Sequence, residues 1–207
     1  MAREIARNLL QIKAIKLNPA NPFTWASGWN SPIYCDNRKT LSYPAVRKLI
    51  YESFAKLIAE KYPDVDVIAG VATGAIAHGI LVAENMGKPF VYVRSTPKLH
   101  GLENLIEGDL PEGKKTIVIE DLISTGGSSL AAVEALRKAG VNVLGLAAIF
   151  TYNFEAARQN FKTSGCACDT LSNYPVLIEE AIASGYVQES DLDTLQQWRK
   201  SPCTWRK

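Results

Sequence analysis

Lys115-Thr116-Ile117-Val118-Ile119-Glu120-Asp121-Leu122-Ile123-Ser124-Thr125-Gly126-Gly127-Ser128-Ser129-Leu130 is the stretch whose reading decides the fold. Residues 116–119 are a short β-branched run, which is how a strand buried on both faces of a parallel sheet reads. Two acids, Glu120 and Asp121, are expected to cap its C-terminal end. Small hydroxyls and glycines follow over residues 124–128. Leu130, Val133 and Leu136 then recur on one side of a helix that Gly140 is placed to stop. The order is strand, loop, helix.

Such a loop has a definite chemistry. The first N–H groups of a helix lack partners and lie at the positive end of its dipole, so they receive phosphate, and glycines let an anion approach the main chain. Glu120 and Asp121 would repel a phosphate, but they suit the hydroxyls of a ribose or a magnesium ion bound to them. The stretch therefore reads as a ribose-5-phosphate cradle. No Gly-Lys-Ser/Thr follows the glycines, so it is not a Walker loop, and the three-glycine dinucleotide fingerprint is absent.

Glu120 to Ser128 resembles the phosphoribosyl diphosphate (PRPP) binding motif of the type I phosphoribosyltransferases. That resemblance implies a transferase without giving the base. It also implies an α/β fold, a central, mainly parallel sheet flanked by helices.

At 207 residues, 47% hydrophobic and 21% charged, the chain suits one α/β domain with a sizeable core. Its 23 basic and 21 acidic residues nearly balance, which argues against a nucleic-acid surface. No apolar stretch approaches the length of a membrane span, and the N-terminus has no signal-peptide core, so a cytoplasmic protein is expected. Cys35, Cys166, Cys168 and Cys203 lack the paired spacing of a zinc site and are expected to be reduced structural thiols.

Ile5, Leu9 and Ile12 lie at helical spacing in an opening helix expected over residues 2–15. The breaker Asn18-Pro19-Ala20-Asn21-Pro22 follows, and then residues 23–38, in which aromatics flank Ser27-Gly28 and Ser31-Pro32 opens an extended run. A β-hairpin is the structural reading. Residues 1–40 thus read as a helix and a small hood within a single domain, 1–207. The Phe-Thr, Ser-Gly and Ser-Pro pattern resembles the N-terminal segment of orotate phosphoribosyltransferases, a hood over the pyrimidine in that family. Many members carry a lysine directly before the Ser-Gly; here it is Ala26.

A helix is expected over residues 43–62, a strand over 65–69 and a helix over 76–86. Gly70-Val71-Ala72-Thr73-Gly74-Ala75 between the last two repeats the strand, small-residue loop, helix order and makes a second anion site at the same sheet edge, the pyrophosphate loop of the resembling family. His78, inside the helix, reads as a structural histidine. After a strand over residues 90–93, residues 94–108 form a long connection with no regular element expected.

That connection carries Arg94, Lys98 and His100. Departure of pyrophosphate builds negative charge, which cations closing over it stabilise. Arg94-x-x-x-Lys98-x-His100-Gly101 followed by Asn104-x-Ile106-Glu107-Gly108 resembles the catalytic loop of orotate phosphoribosyltransferases, although Ser95 stands where some members have a second lysine. In that family the loop reaches the neighbouring subunit's site, which implies a homodimer. A strand over residues 141–150, a helix over 153–161, a short strand over 166–170, a helix from about 172 and a last helix capped by Ser190 complete the chain.

The resemblance implies transfer of ribose 5-phosphate from PRPP to a ring nitrogen of orotate, giving orotidine 5′-monophosphate and pyrophosphate in pyrimidine synthesis. It places PRPP on Arg94, Lys98, His100, Glu120, Asp121, Leu122, Ile123, Ser124, Thr125, Gly126, Gly127 and Ser128. Ser124 is the orotate contact, and Lys98, His100 and Asp121 are the catalytic residues. Magnesium is expected to be held mainly by PRPP and water, with no metal ligand set in the protein. A purine or uracil as the base, or a PRPP-sensing regulator without catalysis, are the competing readings.

Overall fold

A computed structural model describes residues 1–25, 27–96 and 105–206. Ala26, Lys98 and His100 lie outside the described residues.

The described elements are α1 (Ala2–Gln11), β1 (Ile15–Leu17), β2 (Phe23–Thr24), β3 (Asn30–Ser31), β4 (Ile33–Cys35), a 3-10 turn (Asn37–Ser42), α2 (Pro44–Lys61), β5 (Val67–Val71), α3 (Ile76–Met86), β6 (Phe90–Val93), β7 (Ile106–Glu107), β8 (Lys115–Ile123), α4 (Gly127–Lys138), β9 (Asn142–Thr151), α5 (Glu155–Ser164), β10 (Cys168–Asn173), α6 (Tyr174–Ala183), a 3-10 turn (Glu189–Asp191) and α7 (Leu192–Lys200). Six strands form the central sheet in the order β10-β9-β8-β5-β6-β7. Every pairing in it is parallel except β6 with β7. The fold is α/β, a mostly parallel sheet flanked by helices.

Alternation along the strands sorts side chains to the two faces. Ile117, Ile119, Ala147 and Ile149 join a core with α1, α2, α3, α6 and α7, whereas Val118, Leu146 and Ala148 pack with α4 and α5 on the other face. All five residues of β5 are buried, as a central strand covered on both faces requires.

Strand order places the site. From β5 the chain moves to β6 on one side, and from β8 it moves to β9 and β10 on the other. The connections after β5 and β8 therefore diverge, leaving a crevice at the C-terminal ends of two neighbouring strands.

Several expectations are corrected. The acids do not follow the central strand but lie within it, because β8 runs on to Ile123 while paired to β9. The connection after β6 holds a regular element: Val93 pairs with Ile106 and Tyr92 with Glu107. The first helix stops at Gln11, and Lys13, at φ +56°, turns the chain into β1, an element the helical spacing concealed. The hood is two small sheets, β2 with β3 and β1 with β4, rather than one hairpin. Ser190 does not cap the last helix; a capping box of Gln188 and Asp191 turns the chain into a 3-10 turn ahead of α7. The remaining strand ends shift by about two residues, with β5 at Val67–Val71 and β10 at Cys168–Asn173.

Candidate active site

The end of β8 carries the acid pair. Glu120 is 4% exposed, and both of its carboxylate oxygens are occupied: Oε1 accepts the Asp121 N–H at 2.9 Å and Oε2 the Ser129 hydroxyl at 2.8 Å. Burial raises the pKa of both acids, and for Glu120 the neighbouring Asp121 carboxylate adds to it. Ionising such a pair calls for positive charge or hydroxyl donors from a ligand.

Beyond Ile123 the chain passes through Ser124 and Thr125 to Gly126 (φ +83°), which starts α4. A Cβ on Gly126 would lie 2.8 Å from the Phe161 ring of α5, so the position needs glycine for space as well as for its left-handed backbone. Asn160 of α5 donates to the Thr125 carbonyl at 2.9 Å, which pins the loop. No described side chain caps α4, so its first-turn N–H groups face the crevice mouth with the dipole behind them.

The loop after β5 approaches from the neighbouring strand. A Cβ at Gly74 would overlap the Asp121 carboxylate, so this loop packs directly against the end of β8. Arg38 lies at the same place, its Nε donating to Asp36 Oδ1 at 2.7 Å, and on the far side Arg94 approaches Glu107 at 3.4 Å. Lys98 and His100, the other expected cations, lie outside the described residues.

Two adjoining cavities result. One, about 410 Å³, is lined by Asp36, Arg38, Thr73, Gly74, Glu120, Asp121 and Ser128 among others. The other, about 280 Å³, is lined by Thr24, Trp25, Tyr34, Cys35, Leu122, Ser124 and Tyr152. Cys35 and Leu122 line both. The first is polar and meets the acids, while the second is an aromatic slot with the Ser124 hydroxyl at its edge. Trp25 and Tyr152, 5.1 Å apart between centroids, are backed by the fully buried Trp198 of α7, at 5.6 and 5.7 Å with near-perpendicular rings.

The structure thus brings together Glu120, Asp121, Leu122, Ser124 and Ser128 of the expected residues, while Ile123 is buried in the core beside them. It brings in Thr73 and Gly74 of the expected second anion loop, and adds Arg38, Tyr34, Cys35 and Tyr152, which the sequence reading did not single out. For Tyr34 and Cys35 the available signal was the extended run after Pro32; for Tyr152 there was none beyond its place just past an apolar strand.

Compared with known proteins, the phosphoribosyl transferase domain family matches residues 38–181. Over 205 residues, 99% of this chain and 97% of the relative, it is 58% identical to an orotate phosphoribosyltransferase of Bacteroides fragilis. The chain belongs to the orotate phosphoribosyltransferases. An orotate phosphoribosyltransferase of Enterococcus faecalis is 53% identical over the full 207 residues and 99% of that relative. Among solved structures, the orotate phosphoribosyltransferase of Mycobacterium tuberculosis in complex with PRPP superposes with a TM-score of 0.66 at 24% identity, over 85% of this chain and 98% of that one. The last likeness is one of fold, and the crevice between β5 and β8 belongs to that type I phosphoribosyltransferase fold.

His78 is structural in this orotate phosphoribosyltransferase. It is fully buried, its Nε2 lies 3.0 Å from Thr40 Oγ1, and burial lowers its pKa to about 4. Below the ordinary value of 6.5 the unfolded chain takes up a proton that the folded chain refuses until about pH 4. The associated stability is therefore complete above pH 6.5 and is lost as pH falls toward 4, amounting to about 3 kcal/mol. Urea unfolding of the native protein should show this fall, and His78→Asn should show a shallower one over the same pH range.

Proposed function

We propose that PRPP lies along the polar cavity with orotate in the aromatic slot, so that ribose C1 sits where Leu122 and Cys35 bound both spaces. The observation that carries this reading is the meeting of an acid-lined cavity and an aromatic one at the end of β8. A flat, anionic pyrimidine and a polyanionic sugar need those two environments side by side.

Main-chain N–H groups over residues 124–128 would receive the 5-phosphate at the start of α4. Glu120 and Asp121 would accept the ribose hydroxyls, and Ser124 would hydrogen-bond orotate. The ring nitrogen attacks C1 as the bond from C1 to the pyrophosphate oxygen breaks, the electron pair leaving with pyrophosphate. Asp121 would face positive charge developing on the sugar, while Arg94, Lys98 and His100 stabilise charge growing on the leaving group. Thr73 and Gly74 would lie along the pyrophosphate.

Among the described residues no three His, Cys, Asp or Glu side chains gather as a metal cage. Two adjacent acids with raised pKa values suit a cation that arrives on the substrate, which is how magnesium is commonly held. Magnesium, when bound, would screen the pyrophosphate charge. Glu120 and Asp121 would hold it only through the ribose hydroxyls.

The same reading makes residues 1–207 a single phosphoribosyltransferase domain, with 1–40 as its N-terminal helix and hood. It takes the enzyme to be a cytoplasmic homodimer whose residues 94–108 reach the partner's site. Among the described helices none is long and apolar enough to cross a membrane.

Two measurements test this arrangement. Ser124→Ala should raise KM for orotate about tenfold, the worth of one hydrogen bond, with KM for PRPP changed far less. Equal changes in both would remove Ser124 from the base. Mixing inactive Lys98→Ala with inactive Asp121→Asn and allowing subunits to exchange should restore about a quarter of the native sites, because half of the dimers then carry one intact loop over one intact acid. No recovery despite exchange would confine the loop to its own subunit.

A further inference from the structure

The acid pair stands where the sheet runs out. The β5 ladder on β8 ends at Gly70 opposite Ile119, and β5 itself ends at Val71, so past that point no strand among the described residues flanks β8 on this side. A side chain occupies the vacated position: Asn37 Nδ2 donates to the main-chain carbonyl of Asp121 at 2.6 Å.

Asn37 is built into its place. It is 1% exposed, and its Oδ1 faces Cys35 Sγ at 3.4 Å, with the thiol as donor. Its own carbonyl accepts the Thr40 hydroxyl at 2.5 Å. That hydroxyl has a single proton, so the 3.0 Å contact with His78 Nε2 must be donated by the histidine, which fixes the ring with its proton on Nε2. Thr40 and His78 are both fully buried. One polar chain therefore ties α3, which follows the loop at residues 72–75, through the 3-10 turn to the main chain of Asp121. Through Cys35 the same amide touches the wall shared by the two cavities.

We infer that Asn37 is a positioning residue for the transfer: its amide replaces the missing strand at Asp121 and holds the acid in register with the wall of the base slot. Asn37 touches neither reacting atom. Its effect is on where Asp121 lies when C1 becomes cationic, and small misplacements of such a group are expensive in rate. The peptide group of Asp121 would otherwise be free to tilt, turning the carboxylate away from Gly74 and the sugar. This inference rests on the reading of the two cavities as the PRPP and orotate sites.

The test is Asn37→Leu, which keeps about the same volume but removes the amide that donates to the Asp121 carbonyl. With orotate, PRPP and magnesium, kcat should fall about ten- to a hundredfold, while the dissociation constant for PRPP measured without base changes less than threefold. Thr40→Val removes the hydroxyl that anchors the Asn37 carbonyl and accepts from His78, leaving Asn37 itself in place, and it should show the same pattern at smaller size. Native kcat in Asn37→Leu would overturn the inference. So would loss of PRPP affinity in proportion to kcat in both variants, which is the mark of a merely structural residue. Failure of the native enzyme to use orotate would instead overturn the reading of the cavities and is told apart by that control.

Discussion

Lys98→Ala is expected to lower kcat by about two to three orders of magnitude while the dissociation constant for PRPP stays close to native, as for removal of a preorganised charge partner of the leaving group. Electrostatics give the reason. PRPP in its ground state spreads its charge over two phosphate groups already screened by magnesium and by the surroundings. Breaking the C1–oxygen bond adds charge at one place, and a cation directed there acts mainly in the transition state. Arg94, at the end of β6 and near Glu107, would remain in the variant as a pyrophosphate contact. Single-turnover rates together with equilibrium PRPP binding separate the two effects. Unchanged turnover would remove Lys98 from the mechanism, and a matching loss of affinity would make it a binding residue only.

Gly74→Ala should be nearly as damaging, for a steric reason. The added methyl would overlap the Asp121 carboxylate, and the carboxylate, at the end of a short side chain, is the part free to give way. Turning it away leaves the fold intact but misdirects the acid proposed to face C1, so kcat/KM should fall about a hundredfold. The thermal midpoint should move by only a few degrees, since Gly74 is a loop residue outside the regular elements and its φ is not in the left-handed region. A variant with native kcat/KM would show that Asp121 reaches the sugar from another direction. Activity lost in step with the thermal midpoint would show that the glycine serves folding alone.

Much of this arrangement was legible in the sequence, because the signals were local. The β-branched run at 116–119, the hydroxyl and glycine loop and the helix after it lie consecutively, and each constrains the next. Helix α3 and strand β6 have the bounds their periodicity gives, Ile76–Met86 and Phe90–Val93. The acids were misplaced by the same locality. A strand was expected to stop at Glu120 because charge usually marks an end, but pairing with β9 through Ile123 carries the chain past it, and Ser129 with the Asp121 N–H satisfies the Glu120 carboxylate.

What could not be read depends on distance in space. Strand β7 has two residues and exists through its pairing with β6, so no periodicity could announce it. Asn37 looks like an ordinary turn residue until the 84-residue separation to Asp121 closes. Tyr152 looks like a residue just past a core strand, yet Trp25 and Trp198, from opposite ends of the chain, make it a wall of the aromatic cavity. Tertiary packing decides these roles. Family resemblance assigned Lys98 and His100, which lie outside the described residues, and kinetics must test them.

The most direct test of the whole account is the fall in orotate absorbance on mixing the purified protein with orotate, PRPP and magnesium, beside mixtures lacking PRPP or containing adenine, hypoxanthine or uracil in place of orotate. The account predicts a PRPP-dependent fall with orotate and no product from the other bases. Absence of turnover with orotate despite measurable PRPP binding, or transfer to a purine or uracil instead, would contradict it.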